Sequence, residues 1–411
     1  MRLIEALEPE EFIRENKGAA VQLGPNGLRA LRKIGGEELV ARIIDSGARL
    51  MGHAIILPAP KNEDGSSSVQ SEDDIQVMVM PDDGGLQVII RRSTLIRHLI
   101  DIQASQSLTM GQGGDIIGYR RMLLDGENSD GEHHTSFVVE PISITGEPVI
   151  PADGNPVTPL IIGADGIYST FRPLIAQGAT ALHEGDFRIR GRDVKDDGYT
   201  YVKAVVPRPL PPNFKPGHTY SFFTAGGTLS AFAGPAGEGY TYWAISIADV
   251  PSEDGGATKF LANVDPSDLY TVKNLVLDVL RTYDRPECQF AIDLIEDTDP
   301  NDLHLQRSCE AASIGPRLFS EDCKVAVVGD AAHAMSPSYG QSENFAFEDA
   351  AVLGVCIRDA NDLGHALKAY SAIRVDRCLE LQVRSSQKAA RAMAGENTED
   401  VSKWISNWNI E

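Results

Sequence analysis

Apolar residues follow two patterns along this chain, and glycine, proline and acidic turns mark the boundaries between them. Short apolar runs bounded by such turns predict strands, whereas apolar residues recurring every three or four positions predict helices. Arg2–Glu5 reads as a strand ending on an acid, and Gly18–Asn26 as a strand and turn. Gly27–Ile34 is predicted as a short helix stopped by Gly35-Gly36, with a second helix over Glu37–Ile44. Residues 50–59 and 75–80 are strand-like, and the polar run 61–74 between them is expected to be a mobile hairpin tip. Gln87–Ile90 predicts a strand, followed by a helix over Arg91–Ile100 with Leu95, Ile96 and Leu99 on one side. Residues 110–150 read as several short strands, and Pro159–Ile162 as a buried one.

The texture changes between about residues 176 and 311. Strand-like pieces at Tyr199–Val206, Tyr220–Phe223 and Tyr240–Ala248 sit among Pro- and Gly-rich turns, with one helix at Ser267–Thr282, which predicts a mainly antiparallel domain. Lys324–Val328 returns to a buried strand of the parallel type. Helices are predicted over Asn344–Arg358 and from Asp362 to about Ala394, and the tail carries Trp404 and Trp408. No internal repeat is visible.

Composition narrows the picture. A chain of 411 residues with 42% hydrophobic and 23% charged residues is long enough for two intertwined domains with room for a buried cofactor. Its formal charge of −22 repels phosphate backbones and anionic lipids, so no nucleic-acid partner is expected. Five cysteines (Cys288, Cys309, Cys323, Cys356 and Cys378) show no C-x-x-C spacing, so neither a disulfide framework nor a zinc site is expected. No apolar run approaches a membrane span, and the acidic start is unlike a signal peptide, which places the expected protein in the cytoplasm.

Chemistry concentrates in two segments. In the first, the apolar strand Val325–Val328 delivers Gly329-Asp330 to its carboxyl end, where ligands bind in open α/β sheets. Gly329 permits close backbone approach, and Asp330 can accept from a polyol hydroxyl. A turn then leads to a helix start near Glu343 and Asn344 that favours negative charge. The stretch Gly329-Asp-Ala-Ala-His-Ala-Met-Ser-Pro-Ser-Tyr-Gly-Gln-Ser-Glu-Asn344 resembles the second FAD signature of the flavoprotein aromatic hydroxylases, G-D-A-A-H-x-x-x-P-x-x-G-Q-G-x-N. Its one departure is Ser342, which replaces the second glycine of G-Q-G. In the second segment, Gly163–Arg172 resembles the family's D-G-x-x-S-x-x-R element at Asp165, Gly166, Ser169 and Arg172. Asp-Gly alone is a common turn; the added Ser and Arg at this spacing make it specific.

A third stretch, Gly18–Leu31, is similar to the family's G-A-G-I-Q-L-G-P-N-A-L-R-A-L segment. That resemblance makes Glu5 the acid that holds the adenosine ribose, and places Gly18, Ala19 and Arg92 against FAD. The resemblance spans residues 1–172 and 315–360 in the family's order, and the group meant includes salicylate and para-hydroxybenzoate hydroxylases. It implies an FAD-binding Rossmann-like domain, of the glutathione-reductase type, intertwined with a mainly antiparallel β substrate domain. The expected division is 1–175 for the first part of the FAD-binding domain (with a β insertion near 46–90), 176–311 for the substrate domain, 312–365 for the second part and 366–411 for a helical tail. Gly329, Asp330, Ala331, Pro337, Gly340, Gln341, Ser342, Glu343 and Asn344 are then expected at the cofactor, with Pro337 beside the flavin ring.

Family members begin with a strand, G-x-G-x-x-G and a helix that bind the FAD pyrophosphate, and no such run stands before Glu5. The FAD-binding domain is therefore expected to be N-terminally incomplete. The expected reading is an incomplete gene model or fragment, the other being a degenerate relative. As written, the chain is expected to be poorly stable and to retain FAD poorly. Expression with and without the upstream codons is expected to give higher flavin content in the longer protein; equal content would refute this.

The resemblance implies that NAD(P)H reduces the flavin, that O2 adds to give a C4a-hydroperoxide, and that one oxygen atom passes to an aromatic or other electron-rich small molecule. The pocket is expected between the flavin and the second domain's sheet, lined by Tyr220, Phe222, Tyr240, Tyr242 and Trp243, although an ordinary sheet core explains each of these equally well. His218 and Arg188 are weaker candidates for anchoring a phenol or carboxylate. His333 is read as a packing and hydrogen-bonding residue, and no catalytic base is named. The alternatives are an epoxidase or halogenase on the same scaffold, or a degenerate, non-catalytic member acting as a binding protein. A plain NAD-dependent dehydrogenase is disfavoured because the 330–344 stretch suits flavin.

Overall fold

The computed structural model describes residues 2–5, 18–56, 77–79, 85–104, 109–112, 116–127, 133–143, 159–177, 194–211, 214–224, 228–251, 257–283, 288–311, 315–394 and 401–410. The polar run 61–74 and Arg188 lie outside them. The strands are β1 (Arg2–Glu5), β2 (Ala20–Leu23), β3 (Ala48–Arg49), β4 (Gly52–Ile56), β5 (Val77–Val79), β6 (Val88–Arg91), β7 (Thr109–Gln112), β8 (Ile116–Glu127), β9 (His133–Ser143) and β10 (Ile161–Gly163). They continue as β11 (Val194–Val206), β12 (His218–Phe223), β13 (Leu229–Pro235), β14 (Thr241–Ala248), β15 (Val250–Pro251), β16 (Ala257–Thr258), β17 (His304–Ala311) and β18 (Val325–Val327). The longer helices are α1 (Pro25–Ser46), α2 (Arg92–Ala104), α3 (Phe171–Gln177), α4 (Leu269–Thr282), α5 (Gln289–Glu296), α6 (Ser342–Asp359) and α7 (Leu363–Ala394), with α8 (Ser402–Ser406) near the end.

The two helices expected either side of Gly35-Gly36 are the two halves of α1, which breaks where Gly36 takes the non-helical φ 73° and ψ −172°. Only glycine adopts that conformation without strain, so the kink falls where the sequence permits it. Helix α4 begins at Leu269 because the Asp268 side chain accepts from the Thr271 N–H.

Parallel pairing joins β1 to β7 and β10 to β18, whose register aligns Ile161 with Val325 and Gly163 with Val327. Every residue of β18 is buried, as a parallel strand covered on both faces requires. A seven-stranded sheet, in the order β17-β11-β14-β13-β12-β4-β5, forms the second layer. Its strands come from the 176–311 segment except β4 and β5, so the stretch expected as an insertion in the first domain builds the second domain's sheet. Strand β4 adds in parallel to β12, with Gly52 opposite His218. The expected helical tail is also no appendage: Leu367, Tyr370, Cys378 and Leu381 of α7 are buried in the core around β18. Together these elements give the expected α/β architecture, parallel strand pairs beside a mainly antiparallel sheet.

Alternation fixes what each face of the sheet does. Val202, Ala204, Tyr220, Phe222, Ala231, Trp243 and Ile245 turn one way and pack with Val276, Leu280 and Phe290 of α4 and α5. The opposite face carries Val205, Phe232 and Tyr242, which belong to a separate small cluster with Ala20 and Ile89. At the sheet's edge, β11 and β17 lose register between Asp196 and Thr200, and Arg307 clamps the irregularity. Its Nε donates to both Asp196 carboxylate oxygens at 2.9 and 2.8 Å, and its Nη1 to Asp249 at 2.7 Å. Among the described residues no helix is long and apolar enough to cross a membrane.

Truncating Leu280, which has no exposed surface, to alanine is expected to cost about 2–5 kcal/mol in urea unfolding. Partial burial alone would raise the Asp196 carboxyl, but hydrogen bonds from Arg307 and the Gly198 N–H hold it at about 2. A depressed carboxyl adds stability that is fully present above its unfolded pKa of about 3.9 and is lost as pH falls toward the folded value. Asp196→Asn is therefore expected to flatten the wild-type decline in urea midpoint between about pH 4 and 2; an unchanged slope counts against the clamp.

Candidate active site

The parallel pair β10 and β18 ends in two neighbouring turns, and these carry both sequence motifs. The Val328 N–H donates to the Gly163 carbonyl at 3.0 Å, extending the pairing. The chain then turns at Gly329, where φ is 59° and ψ −142°. A side chain there would be strained, and its Cβ would also meet the Ala346 Cβ at 3.2 Å. Asp330 opens a single helical turn to His333. Its side chain is open to solvent, yet surrounding protein pushes its carboxyl above the usual range. Glu343 reinforces that shift, while His333, Arg172 and Lys203 oppose it. An acid that solvent reaches but protein surrounds lies on the floor of a cleft.

The second motif builds that floor. The Asp165 carboxylate accepts the Thr170 N–H at 2.7 Å, and Ser169 Oγ accepts the N–H groups of Phe171 and Arg172, both at 3.1 Å, starting α3. Arg172 Nη1 donates to the carbonyls of Asp330 and Ala331 at 3.2 and 3.1 Å, and its Nη2 to Ile167 O at 2.5 Å. Gly166, at φ 78°, makes the turn between them. The side chains of Asp165, Ser169 and Arg172 are thus engaged by protein backbone, and Ala331 is in the core. What this element offers a ligand is the shape of the turn at Gly329.

Asn344 is engaged in a similar way. Its Oδ1 accepts the Gly24 N–H at 2.8 Å, and its Nδ2 donates to the carbonyls of Gln22 and Gly340 at 2.9 and 3.3 Å. Gly27 is required beside it, because an added Cβ would lie 2.0 Å from Asn344 Oδ1. Asn26 Nδ2 donates to Gln341 and Glu348, at 3.1 and 2.7 Å. The Gly24-Pro-Asn-Gly27 turn is therefore fastened to the start of α6, a pairing that no local pattern announces. Ser342 has ordinary right-handed backbone as the first residue of α6, so its Cβ brings no strain. Gly340 adopts a left-handed conformation at the end of the Pro337–Tyr339 turn, and Glu343 is exposed in the first turn of α6.

Beneath the floor lies a charged core. Asp349 accepts the Gly329 N–H at 2.7 Å, His333 Nε2 at 2.6 Å and Arg374 Nε at 2.7 Å. Glu348 binds Arg374 and Arg377. Arg377 in turn lies 4.7 Å from the ring centres of both Phe345 and Trp404. Glu348, Asp349, Arg374 and His333 have no exposed surface. Burial by itself disfavours both ionised forms, but the Asp349 carboxylate holds His333 well above its ordinary value, and His333 with Arg374 holds Asp349 below its own. His333, Asp349 and Cys378 are the one grouping of possible metal ligands among the described residues. Arg374 already supplies the cation that Asp349 pairs with.

Across the cleft stands the free face of the sheet, and its lining differs from expectation. Tyr220, Phe222 and Trp243 point the other way, into the core with α4 and α5, and Trp243 Nε1 donates to Thr298 at 2.9 Å. His218 shares their face by alternation, and its Nδ1 lies 3.1 Å from the Pro216 carbonyl. Tyr242 is on the cleft face, and Tyr240 lies beneath the Arg91 guanidinium at 4.0 Å. The residues near enough to act on the acids of the floor are Lys203 of β11, which feels Glu343 and Asp330, and Tyr242, which feels Glu343; Tyr201 shares the face of Lys203, opposite Gln306 of β17. Burial raises the phenols of Tyr201 and Tyr242. His53, bonded to Thr219 Oγ1 at 2.6 Å, is lowered by burial and then by Lys388, whose Nζ sits 4.1 Å from the Tyr339 ring centre. These were visible in the sequence only as polar positions alternating within strands.

Gly18 and Ala19 both take positive φ, 79° and 59°. The Arg92 N–H donates to Ala19 O at 3.0 Å, and a Cβ on Gly18 would lie 2.4 Å from Arg92 Cδ. Glu5 ends β1 opposite Gln112.

No protein-family model matches the chain. Aurachin C monooxygenase/isomerase of Stigmatella aurantiaca is 26% identical over 367 residues, covering 88% of this chain and 76% of that protein. An FAD-dependent urate hydroxylase of Klebsiella oxytoca is 24% identical over 385 residues, covering 92% and 82%. A kynurenine 3-monooxygenase of Salinispora arenicola is 28% identical over 52% of this chain, which spans 42% of that relative. Among solved structures, Klebsiella pneumoniae HpxO with FAD and uric acid gives a TM-score of 0.61 at 20% identity, covering 94% of this chain and 82% of that one. A 2-methyl-3-hydroxypyridine-5-carboxylic acid oxygenase gives 0.59 at 18%, covering 95% and 86%. The relatives of this chain are FAD-dependent monooxygenases of the aromatic-hydroxylase type, and the fold is the one those enzymes share.

Replacing Arg374 by methionine removes the one cation that both buried carboxylates share, leaving Glu348 with Arg377 and Asp349 with His333, and is expected to cost about 3–5 kcal/mol in urea unfolding. A loss below about 1 kcal/mol, the size of a surface pair, would mean that this network does not hold the floor together.

Proposed function

We propose that this chain is an FAD-dependent monooxygenase that uses NAD(P)H and O2 to hydroxylate an aromatic or other electron-rich ring. One observation carries the reading. Asp330 stays open to solvent on the floor of a cleft, directly after a left-handed Gly329 and facing the start of α6. That arrangement fits a flavin nucleotide, whose polyol hydroxyls donate and whose ring system accumulates negative charge on reduction. Homology to relatives named for aurachin C, kynurenine and urate supports an electron-rich ring as substrate.

Bound FAD would supply the chemistry, taking electrons from NAD(P)H, activating O2 and passing one oxygen atom to the substrate. The chain's own residues bind, orient and exclude water. Asp330 would accept from a polyol hydroxyl, and Arg172 fixes Asp330 by holding its carbonyl. The N–H groups at Ser342, Glu343 and Asn344, which lack partners inside α6, would favour the reduced ring's charge. Pro337, Gly340 and Gln341 would border the ring from the connecting turn. Gly18, Ala19 and Arg92 would lie against FAD, with Glu5 at the adenosine ribose. The free face of the sheet, from Tyr201 to Tyr242, would close the pocket against water.

Titrating the purified chain with FAD and following flavin fluorescence tests the site. Asp330→Asn is expected to weaken binding by about tenfold or more, because a charged acceptor contributes about 1.5–3 kcal/mol to a hydrogen bond. Equal affinity in both proteins overturns the placement of FAD on this floor. With flavin bound, NAD(P)H consumption and incorporation of labelled oxygen from O2 into a phenol are expected; consumption without incorporation into any ring substrate overturns the hydroxylase reading.

A further inference from the structure

The turn between β13 and β14 holds a strained residue. Gly237, Glu238 and Gly239 take φ of 81°, 51° and 81° in succession, and the Ala236 N–H donates to Tyr240 O at 2.8 Å to close the turn. Glycine enters that left-handed region freely, whereas a side chain is strained there. Glycine fills the two outer positions, so the glutamate between them calls for a reason, and strain of this kind collects where a side chain has a task. The Glu238 carboxylate pairs with the Arg91 guanidinium, whose side chain is 6% exposed and lies over the Tyr240 ring. A guanidinium so enclosed is stable only with matched charge beside it. The turn also packs closely on α1: a Cβ at Gly237 would lie 2.1 Å from Ser46 O, and Ser46 Oγ lies 2.8 Å from His98 Nε2 of α2.

From Arg91 the contacts run to the segment proposed to lie against FAD. Arg91 ends β6, where it pairs with Ala20 of β2, and the next residue, Arg92, donates its N–H to Ala19 O at 3.0 Å. Ala19 is itself left-handed, at φ 59°. Of the three non-glycine residues with positive φ among the described residues, two, Ala19 and Glu238, stand at the ends of this one short run of contacts. The run joins a turn of the seven-stranded sheet to the three-stranded sheet of β2, β6 and β3.

We propose that Glu238 is a positioning residue for the cofactor: by holding Arg91 it sets the junction of β6 and α2, and with it the arrangement of Arg92, Gly18 and Ala19. The proposal rests on the reading of those residues as lying against FAD, and adds to it a residue 147 positions along the chain from Arg91. Glu238 acts through the backbone that carries Arg92 and not by touching the flavin. The link is reciprocal. If Glu238 strengthens FAD binding, bound FAD makes the turn at Glu238 harder to open by the same factor.

The test compares wild type with Glu238→Gly, which relieves the turn, Glu238→Gln, which keeps the side chain's shape without its charge, and Arg91→Met. In FAD titrations followed by flavin fluorescence, affinity is expected to fall about fivefold or more in each variant, the lower end of coupling between distant sites. Combining Glu238→Gly with Arg91→Met is expected to add little to the loss from Arg91→Met alone, because both changes break one contact. Amide hydrogen exchange, read by mass spectrometry without FAD, is expected to quicken in residues 18–23 and 88–95 of both Glu238 variants and to stay level in β17. In wild type, added FAD is expected to slow exchange at residues 236–240. Equal FAD affinity in wild type and both Glu238 variants overturns the proposal and leaves the hydroxylase reading standing. Losses that multiply in the double variant, or exchange that quickens throughout, β17 included, also overturn it, since the first denies the shared contact and the second shows a general loss of stability. If exchange quickens at 18–23 and 88–95 alone while no protein binds FAD, the FAD reading fails and the hold of Glu238 on the β6–α2 junction stands.

Discussion

Two carboxylates, Glu348 and Asp349, sit side by side in the core with no exposed surface, matched by Arg374, Arg377 and the His333 imidazole. Charges are removed from water at a cost of several kcal/mol each, and only a complete set of partners offsets it. The set is complete only when α6, α7, the Asp330–His333 turn and Asn26 of α1 are all in place. Each of these elements comes from a different stretch of chain. The network therefore acts as a check on assembly, since any one element displaced leaves an ion without its partner.

That same network sets the ligand floor. Asp349 accepts the Gly329 N–H from below, and Arg172 holds the Asp330 and Ala331 carbonyls from the side. Gly329 is thereby fixed in a backbone conformation closed to other residues, and Asp330 is left facing the cleft. Rigid support under an exposed acid is what a site needs if its ligand is to be held at one height above the sheet. The aromatic side chains of Trp404 and Trp408, packed on Arg374 and Arg377, extend the support to the last described residues.

The opposing wall follows a different logic. Strands β11 to β14 place apolar residues against α4 and α5 on one side and leave Tyr201, Lys203, Phe232 and Tyr242 on the other. Strand β4, from far earlier in the chain, widens this wall and brings His53 next to Thr219. The acidic floor and a wall of phenols and one lysine make the two sides unlike in charge.

The sequence by itself determined the two motif turns, most strand and helix positions, and the acid at the end of β18, because each depends on local backbone rules and alternating burial. Gly36 and Gly329 were legible for the same reason: their conformations are ones that glycine alone adopts without strain. Which face of each strand meets the cleft was decided only by the tertiary structure. Tyr220, Phe222 and Trp243 obey the same alternation as Tyr242, and one residue of register separates core from pocket. The roles of Asn344, Asp165 and Ser169 were hidden likewise, since a polar side chain near a motif can face a ligand or tie down backbone, and only the neighbours brought in from distant segments distinguish the two. Lys203 and Gln306 lie 103 positions apart in sequence; pairing of β11 with β17 brings their side chains into hydrogen-bonding distance.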